Sequence, residues 1–273
     1  MTIKIGNGRG LLIDSIRKNN NESKNLLNKL ASGKRINSAS DDPAGLAVAD
    51  SLFAQSSVLE SANRNISYGY SASQIAEGAT EQISGSLTRM QELAAQSANG
   101  TLSDSQREAI STEFNALRDE VDRIVGTTEF NGTNLLSGDS ITIQAGADGS
   151  STSQINVENI NVEQTLSDNN FNSISIGNIN DARNALDQLS ALSSQVSQIR
   201  GNLGAATSRL EVAENNNSSR QLALRESESR IRDADIAEVS AKLTASKIKQ
   251  QSSVALLAQS GKLDRQSVLS LIG

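Results

Sequence analysis

Residues 103–127 read SDSQREAISTEFNALRDEVDRIVGT. Ser103 followed three residues later by Gln106 is a capping-box pattern, in which each side chain reaches the other residue's backbone amide and starts a helix. The apolar residues that follow, Ile110, Phe114, Leu117, Val121 and Ile124, recur at i, i+4, i+7, i+11 and i+14. That near-heptad period draws one narrow stripe along the helix. Leu186, Leu189, Leu192, Val196, Ile199 and Leu203 repeat it further along the chain. Neither stripe has enough apolar surface to hold a helix alone, so the two are expected to pack antiparallel within one chain.

Upstream, Asp41-Asp42-Pro43 reads as a helix start, with Asp42 as N-cap and Pro43 at the first helical position. From Ala44 to about Ala98, the residues Leu46, Ala49, Phe53, Ile75, Leu87, Met90 and Leu93 suit one long helix buried along one face. Asn99-Gly100 is expected to end it, because either residue tolerates the left-handed C-cap conformation. Before Ser32-Gly33, the spacing of Leu26, Leu27 and Leu30 predicts another helix. From Ile231 to Leu257 a stripe runs through Ile236, Val239, Leu243, Val254 and Leu257, interrupted by polar residues from Ser246 to Ser253 with Ile248 the exception. A helix this weakly apolar is expected to fold fully only against partners.

The middle differs. No Lys or Arg falls between Arg123 and Arg183, and Gly, Ser, Asn and Thr abound. Ile141 and Ile143, then Ile155, Val157 and Ile160, lie among polar residues on either side of Gly146-Ala147-Asp148-Gly149, which predicts a hairpin. Lacking a continuous apolar stripe, the segment from about Ser137 to Asp181 is expected to face solvent and to be dispensable for assembly.

Composition narrows the function. Of 273 residues only 2% are aromatic, and Trp is absent, so burial rests on Leu, Ile, Val and Ala in helix seams. One Pro in the whole chain also suits long helices. With no His and no Cys, the usual general base, thiol nucleophiles and thiolate metal sites are missing. Carboxylate-only chemistry and a Ser–Lys pair stay formally open, but no recognisable spacing marks either, and the chain reads as a non-enzyme needing no cofactor. A formal charge of −6 and a pI near 4.9 disfavour nucleic acid. No apolar run is long enough for a bilayer span, and Met1 to Gly10 has no signal-peptide apolar core. Gly6, Gly8 and Gly10 lack the context of a phosphate loop and read as a flexible leader. Asp41-Asp42 could hold a cation, but beside Pro43 a helix cap is the simpler role.

Leu30-Ala31-Ser32-Gly33-Lys34-Arg35-Ile36-Asn37-Ser38-Ala39-Ser40-Asp41-Asp42-Pro43-Ala44-Gly45-Leu46-Ala47 resembles the N-terminal signature of bacterial flagellins. Arg89 to Thr101 is similar to the next flagellin block, and Phe130-Asn131-Gly132-Thr133-Asn134-Leu135-Leu136 to the one closing the N-terminal half. Glu228-Ser229-Arg230-Ile231-Arg232-Asp233-Ala234-Asp235-Ile236-Ala237 resembles the C-terminal signature, followed by Leu257-Ala258-Gln259 and Val268-Leu269-Ser270-Leu271. The first two dozen residues depart from the family pattern, with Gly6-Asn7-Gly8-Arg9-Gly10 and Asn19-Asn20-Asn21.

The resemblance implies a mainly α fold: a long antiparallel helical bundle or coiled coil built from both chain ends, with a small β-hairpin region in the middle. Residues 1–43 and 232–273 would form the terminal coiled pair, and 44–231 a helical core domain with a short turn-rich insert at about 130–182. The implied function is a structural subunit that self-polymerises into the bacterial flagellar filament, secreted and serving motility. A hook–filament junction protein of the flagellum is the alternative. Leu243, Val254 and Leu257 would join Ile110, Phe114, Leu117, Val121 and Ile124 in the core or assembly seam. A homopolymer, an export chaperone and the cap and junction proteins are the implied partners. In flagellins seen by the innate immune flagellin receptor, the positions matching Arg89, Leu93 and Glu113 lie at that contact. An enzyme hosted on a flagellin core, as in flagellins with a metallopeptidase insert, would need an HExxH helix, and this chain has no His.

Overall fold

The computed structural model describes residues 6–138, 141–157 and 160–272. The helices are α1 (Gly6–Ser32), α2 (Pro43–Ser97), α3 (Asp104–Thr127), α4 (Val162–Asp168), α5 (Ile179–Arg232) and α6 (Ile236–Ile272). Two antiparallel strand pairs join them, β1 (Glu129–Phe130) with β2 (Thr133–Asn134) and β3 (Ile141–Gln144) with β4 (Gln154–Val157). The chain forms two compact units, one from 57–221 and one from 1–56 with 222–273. Residues 1–5 and 273 of the expected terminal pair lie outside the described residues.

In the central unit, α2 and α5 run antiparallel. Gln91 Nε2 donates to Ser193 Oγ at 2.9 Å, and Asn63 Nδ2 to Ser218 Oγ at 3.4 Å. Their apolar faces share one core with α3, through Leu87, Met90 and Leu93, Phe114 and Val121, and Leu189, Leu192, Val196 and Leu203. The capping box of α3 forms as its sequence predicts. Its stripe, however, divides into two lines. Phe114 and Val121 are fully buried, whereas Ile110, Leu117 and Ile124 lie half-buried along the edge of the core. A helix seated in a groove buries one heptad line deeply and leaves the other flanking it.

The ends and exposed faces of α2 also differ from expectation. Among the described residues, Gly33, Gly132 and Gly138 are the glycines with positive φ, and neither Asn99 nor Gly100 adopts it. The last turn instead tightens through Asn99 N–H donating to Gln96 O at 3.2 Å, and the buried guanidinium of Arg107 donates to Ser97 O. A cation on the C-terminal carbonyls does the work of a left-handed cap. Phe53 and Ile75, expected on the buried face, are 56% and 42% exposed.

The middle segment is not a solvent-facing decoration. Ile143 pairs with Ile155 and Ile141 with Val157 across the predicted hairpin. Ile143, Ile155, Val157, Ile160, Val162, Leu166, Phe171, Ile174 and Ile176 are all buried in the same core as α2, α3 and α5. Each piece is too short for its periodicity to show which side it buries. Asn217 Nδ2 donates to Ala145 O at 2.7 Å, and Asn65 Nδ2 to Gln144 O at 3.3 Å, so both long helices hold the hairpin. Gly69 permits the approach, because a Cβ there would sit 2.1 Å from Ile143 Cδ1. A second turn, Asn131-Gly132 with φ of 52° and 79°, closes β1 on β2 as such a pair does in tight hairpins.

In the terminal unit, Gly6 to Gly10 lie in the first turns of α1 and not in a flexible leader. Asp42 Oδ1 accepts from Gly45 N–H at 2.9 Å, which is the expected cap of α2. Arg232 Nη1 bonds Asp50 Oδ1 at 3.1 Å, so α2 and α5 meet here too. α6 is helical against α1. Every lysine of the chain lies in this unit, and the cations of residues 57–221 are all arginines.

Two outcomes follow. Phe171→Ala removes a side chain that is 1% exposed and should cost about 3–5 kcal/mol in denaturant unfolding, whereas a dispensable, solvent-facing insert would register almost nothing. Asp148 accepts from Ser150 Oγ, Ser153 Oγ and Ser150 N–H, which holds its carboxyl at about 2, below the ordinary 3.8. A depressed folded-state value means that the carboxylate's contribution to stability is fully present above about 3.8 and is lost as pH falls through about 2. Carboxyl carbon shifts followed by NMR during acid titration should show Asp148 protonating last among the hairpin's neighbours.

Candidate functional site

The sequence offers surfaces for docking, and the structure shows how each is built. On α1 the buried and half-buried positions include Leu12, Ile16, Asn19, Ser23, Leu26 and Leu30; on α6 they include Val239, Leu243, Ser246, Gln250, Ser253 and Leu257. Both sets alternate four- and three-residue steps, the seam of an antiparallel coiled coil. Ser23 Oγ and Ser246 Oγ lie 3.0 Å apart, and Gln250 Nε2 donates to Asn20 Oδ1 at 2.6 Å. The polar interruption of α6 therefore faces a polar stretch of α1. Leu243 lies in this seam and Leu257 is half-buried, but Val254 is 50% exposed and lies outside it.

The seam is joined to the rest of its unit by a short antiparallel bridge. Arg35 N–H donates to Arg232 O at 2.6 Å, and Ala234 N–H to Gly33 O at 2.9 Å. Gly33, at φ of 71°, ends α1 in the left-handed conformation that glycine favours. Asp41 Oδ2 accepts from Asn37 N–H, Ser38 N–H and Ser38 Oγ, and these backbone bonds, Asn37 first, lower its carboxyl below the usual range. Both carboxylates of Asp41-Asp42 are thus occupied with backbone amides. Among the described residues no group of three His, Cys, Asp or Glu side chains could hold a metal ion.

Outside the seam the terminal helices carry uncovered apolar side chains. Leu11 (69% exposed), Ile13 and Leu27 lie on α1; Ile248, Leu256 and Leu263 (60%) lie on α6. Exposed apolar patches of this kind are characteristic of interaction surfaces. In the central unit a cleft of about 850 Å³ opens between Tyr68 and Gly69 of α2 and Phe130, Leu135 and Ile143, and among the described residues no carboxylate or basic side chain lines it.

Arg89, Leu93 and Glu113 do not form one exposed cluster. Arg89 Nε and Nη2 donate to Glu113 Oε1 at 3.0 and 2.8 Å, tying α2 to α3, while Nη1 donates to Glu92 Oε2 at 2.8 Å. These carboxylates hold the guanidinium's proton more tightly than usual, through the bonds to Glu92 first and Glu113 next. Leu93 points inward at 2% exposure and belongs to the core. Arg107, which sequence reading passed over, is the buried cation; a signal for it was its place one turn into a helix directly after another helix's end.

A family model described as the bacterial flagellin N-terminal helical region matches residues 12–140, and one described as the bacterial flagellin C-terminal helical region matches 184–272. The chain belongs to the bacterial flagellin family. The flagellin of Halalkalibacterium halodurans is 36% identical over 259 residues, covering 93% of each chain. Those of Listeria monocytogenes and Bacillus subtilis are each 33% identical, covering 90% and 95% of this chain and 91% and 96% of theirs. Among solved structures, Bacillus cereus flagellin superposes with a TM-score of 0.51 at 25% identity, over 56% of this chain and 88% of that one. A putative flagellar hook-associated protein from Vibrio parahaemolyticus gives 0.56 at 18% identity, over 71% of this chain and all of that one, a likeness of fold alone.

This flagellin-family chain thus uses Arg107 inside the core and Arg89 at the surface. Arg107→Met should cost about 2–3 kcal/mol, because Ser97 O would lose its partner inside the protein. Arg89→Ala, at a half-exposed pair, should leave the melting temperature nearly unchanged. Thermal melts of the two variants separate the roles.

Proposed function

We infer that this chain is a structural subunit that self-polymerises into the bacterial flagellar filament and serves motility. The observation that carries this reading is that both halves of the chain match flagellin, and that the paired helices α1 and α6 at its ends keep apolar side chains uncovered. The junction-protein alternative has support only at the level of fold. The subunit acts by repeated helix contacts and performs no catalysis. Residues 1–43 with 232–273 line the inner part of the filament, and 44–231 form its outer helical layer. The chain reaches its site by secretion, aided by an export chaperone and by the cap and junction proteins. Contact with the innate immune flagellin receptor would use Arg89 and Glu113 at the surface, with Leu93 supporting α2 from beneath.

Adding purified chain to filament fragments should produce long filaments in electron micrographs; short rings would favour the junction protein. Leu256→Asp with Leu263→Asp should leave the monomer's helix content and melting unchanged and stop elongation. Filaments of normal length from that variant would remove this face of α6 from the assembly surface.

A further inference from the structure

The seam between α1 and α6 has a composition that its heptad spacing does not require. At the end nearest the bridge it is apolar, with Leu26 and Leu30 on α1 and Val239 and Leu243 on α6. At the far end Leu12 and Ile16 on α1 are apolar again, and α6 contributes Leu257. Between them lies a layer of Asn19, Asn20 and Ser23 from α1 and Ser246, Gln250 and Ser253 from α6. Ser23 and Ser246 are 8% and 1% exposed, so the layer has an interior centre, flanked by the half-buried Asn19, Asn20, Gln250 and Ser253. Three bonds cross it: Ser23 Oγ with Ser246 Oγ, Ser246 Oγ donating to the backbone Asn19 O at 3.3 Å, and Gln250 Nε2 to Asn20 Oδ1, while Ser253 Oγ donates within α6 to Lys249 O.

An all-leucine seam here would pair more tightly but would accept several alignments, since shifting one helix by a heptad restores an equivalent knobs-into-holes pattern. The covalent links do not forbid such a shift. A heptad slip moves α1 by about 10 Å along α6, and residues 33–42 between α1 and α2 give enough chain to absorb it. With the polar layer present, each slipped alignment is penalised. Bringing Ser23 opposite Ser253 sets Asn19 against Leu257 and Leu26 against Gln250. The opposite slip sets Ser23 against Val239 and Asn19 against Leu243. In both, amides and hydroxyls are buried against hydrocarbon without partners.

We propose that the polar layer of Asn19, Asn20, Ser23, Ser246, Gln250 and Ser253 is a register lock, which fixes the alignment of α1 on α6 at the expense of pairing strength. The bridge at 33–36 and 231–234 orients the two helices at one end, and the layer selects the alignment of the remainder. Gln250 and Asn20 form its most specific pair, since either heptad slip sets Gln250 against a leucine, Leu26 or Leu12.

The chain contains no cysteine, so engineered disulfides report the alignment without interference. Three double variants of the full chain are needed: Ser23→Cys with Ser246→Cys for the observed register, and Ser23→Cys with Ser253→Cys or with Val239→Cys for the two slips. In the native background only the first should close under mild oxidation, at least tenfold faster than the others. In a background carrying Asn19→Leu and Gln250→Leu, one or both slip reporters should close at a rate within a few-fold of the native one, while helix content and melting temperature hold or rise. Slip reporters that close readily in the native background would overturn the proposal. So would slip reporters that stay silent in the leucine background, because the bridge would then hold the register unaided. A leucine background that loses helix content and closes no disulfide would overturn it too, by showing that the layer supplies pairing strength.

Discussion

Every long helix in this chain can bury only a strip one or two residues wide, and that limit shapes everything else. With almost no aromatic side chains, there is no bulky nucleus around which segments could gather. Leucine, isoleucine, valine and alanine must instead be covered line by line, which demands a second helix of matching length for each one. The chain meets this demand by folding its two halves against each other, α1 with α6 and α2 with α5. The price is conformational. Ser23 and Ser246, which meet in the seam, are 223 residues apart in sequence, so their contact closes nearly the whole chain into a loop.

Polar groups then do the positioning that shape cannot. Thin seams of similar branched residues discriminate poorly between neighbours, and the discriminating contacts here are amides, hydroxyls and guanidinium groups. Asn217 and Asn65 hold the β3–β4 hairpin by its carbonyls. Arg107 closes the end of α2 from inside the core. Asp41 and Asp42 organise the turn that leads into α2. Each is a directional bond placed where a helix ends or a strand meets a helix.

The long-range outline was legible because it is written in repeated signals. The capping box at Ser103, the proline after Asp42 and the alternation around Ile143 and Ile155 each state a local geometry that the structure adopts. Depth of burial was less legible. Ile75 and Phe53 fit the period of α2 yet stay exposed, since a helix of fifteen turns drifts relative to any fixed repeat, to order of magnitude about 20° per heptad. The middle segment was misread because its buried residues are distributed over pieces of three to seven residues, too short for a moment to emerge. Leu93, which the resemblance groups with Arg89, keeps the place in the core that its apolar period gives it, while Arg89 one turn away stays half-exposed. The tight turn at Asn131-Gly132 follows from turn chemistry alone.

The confinement of lysine to residues 1–56 and 222–273 has a practical reach. Amine-directed reagents, whether fluorescent esters or cross-linkers, will decorate the paired ends and leave residues 57–221 bare of side-chain label. A lysine-specific protease has no target between Arg35 and Ala241, so digestion would trim the termini and release the central helices as one intact piece. The arrangement is a chemical address built into composition: one reagent class reads the ends, and guanidinium-directed reagents reach the middle.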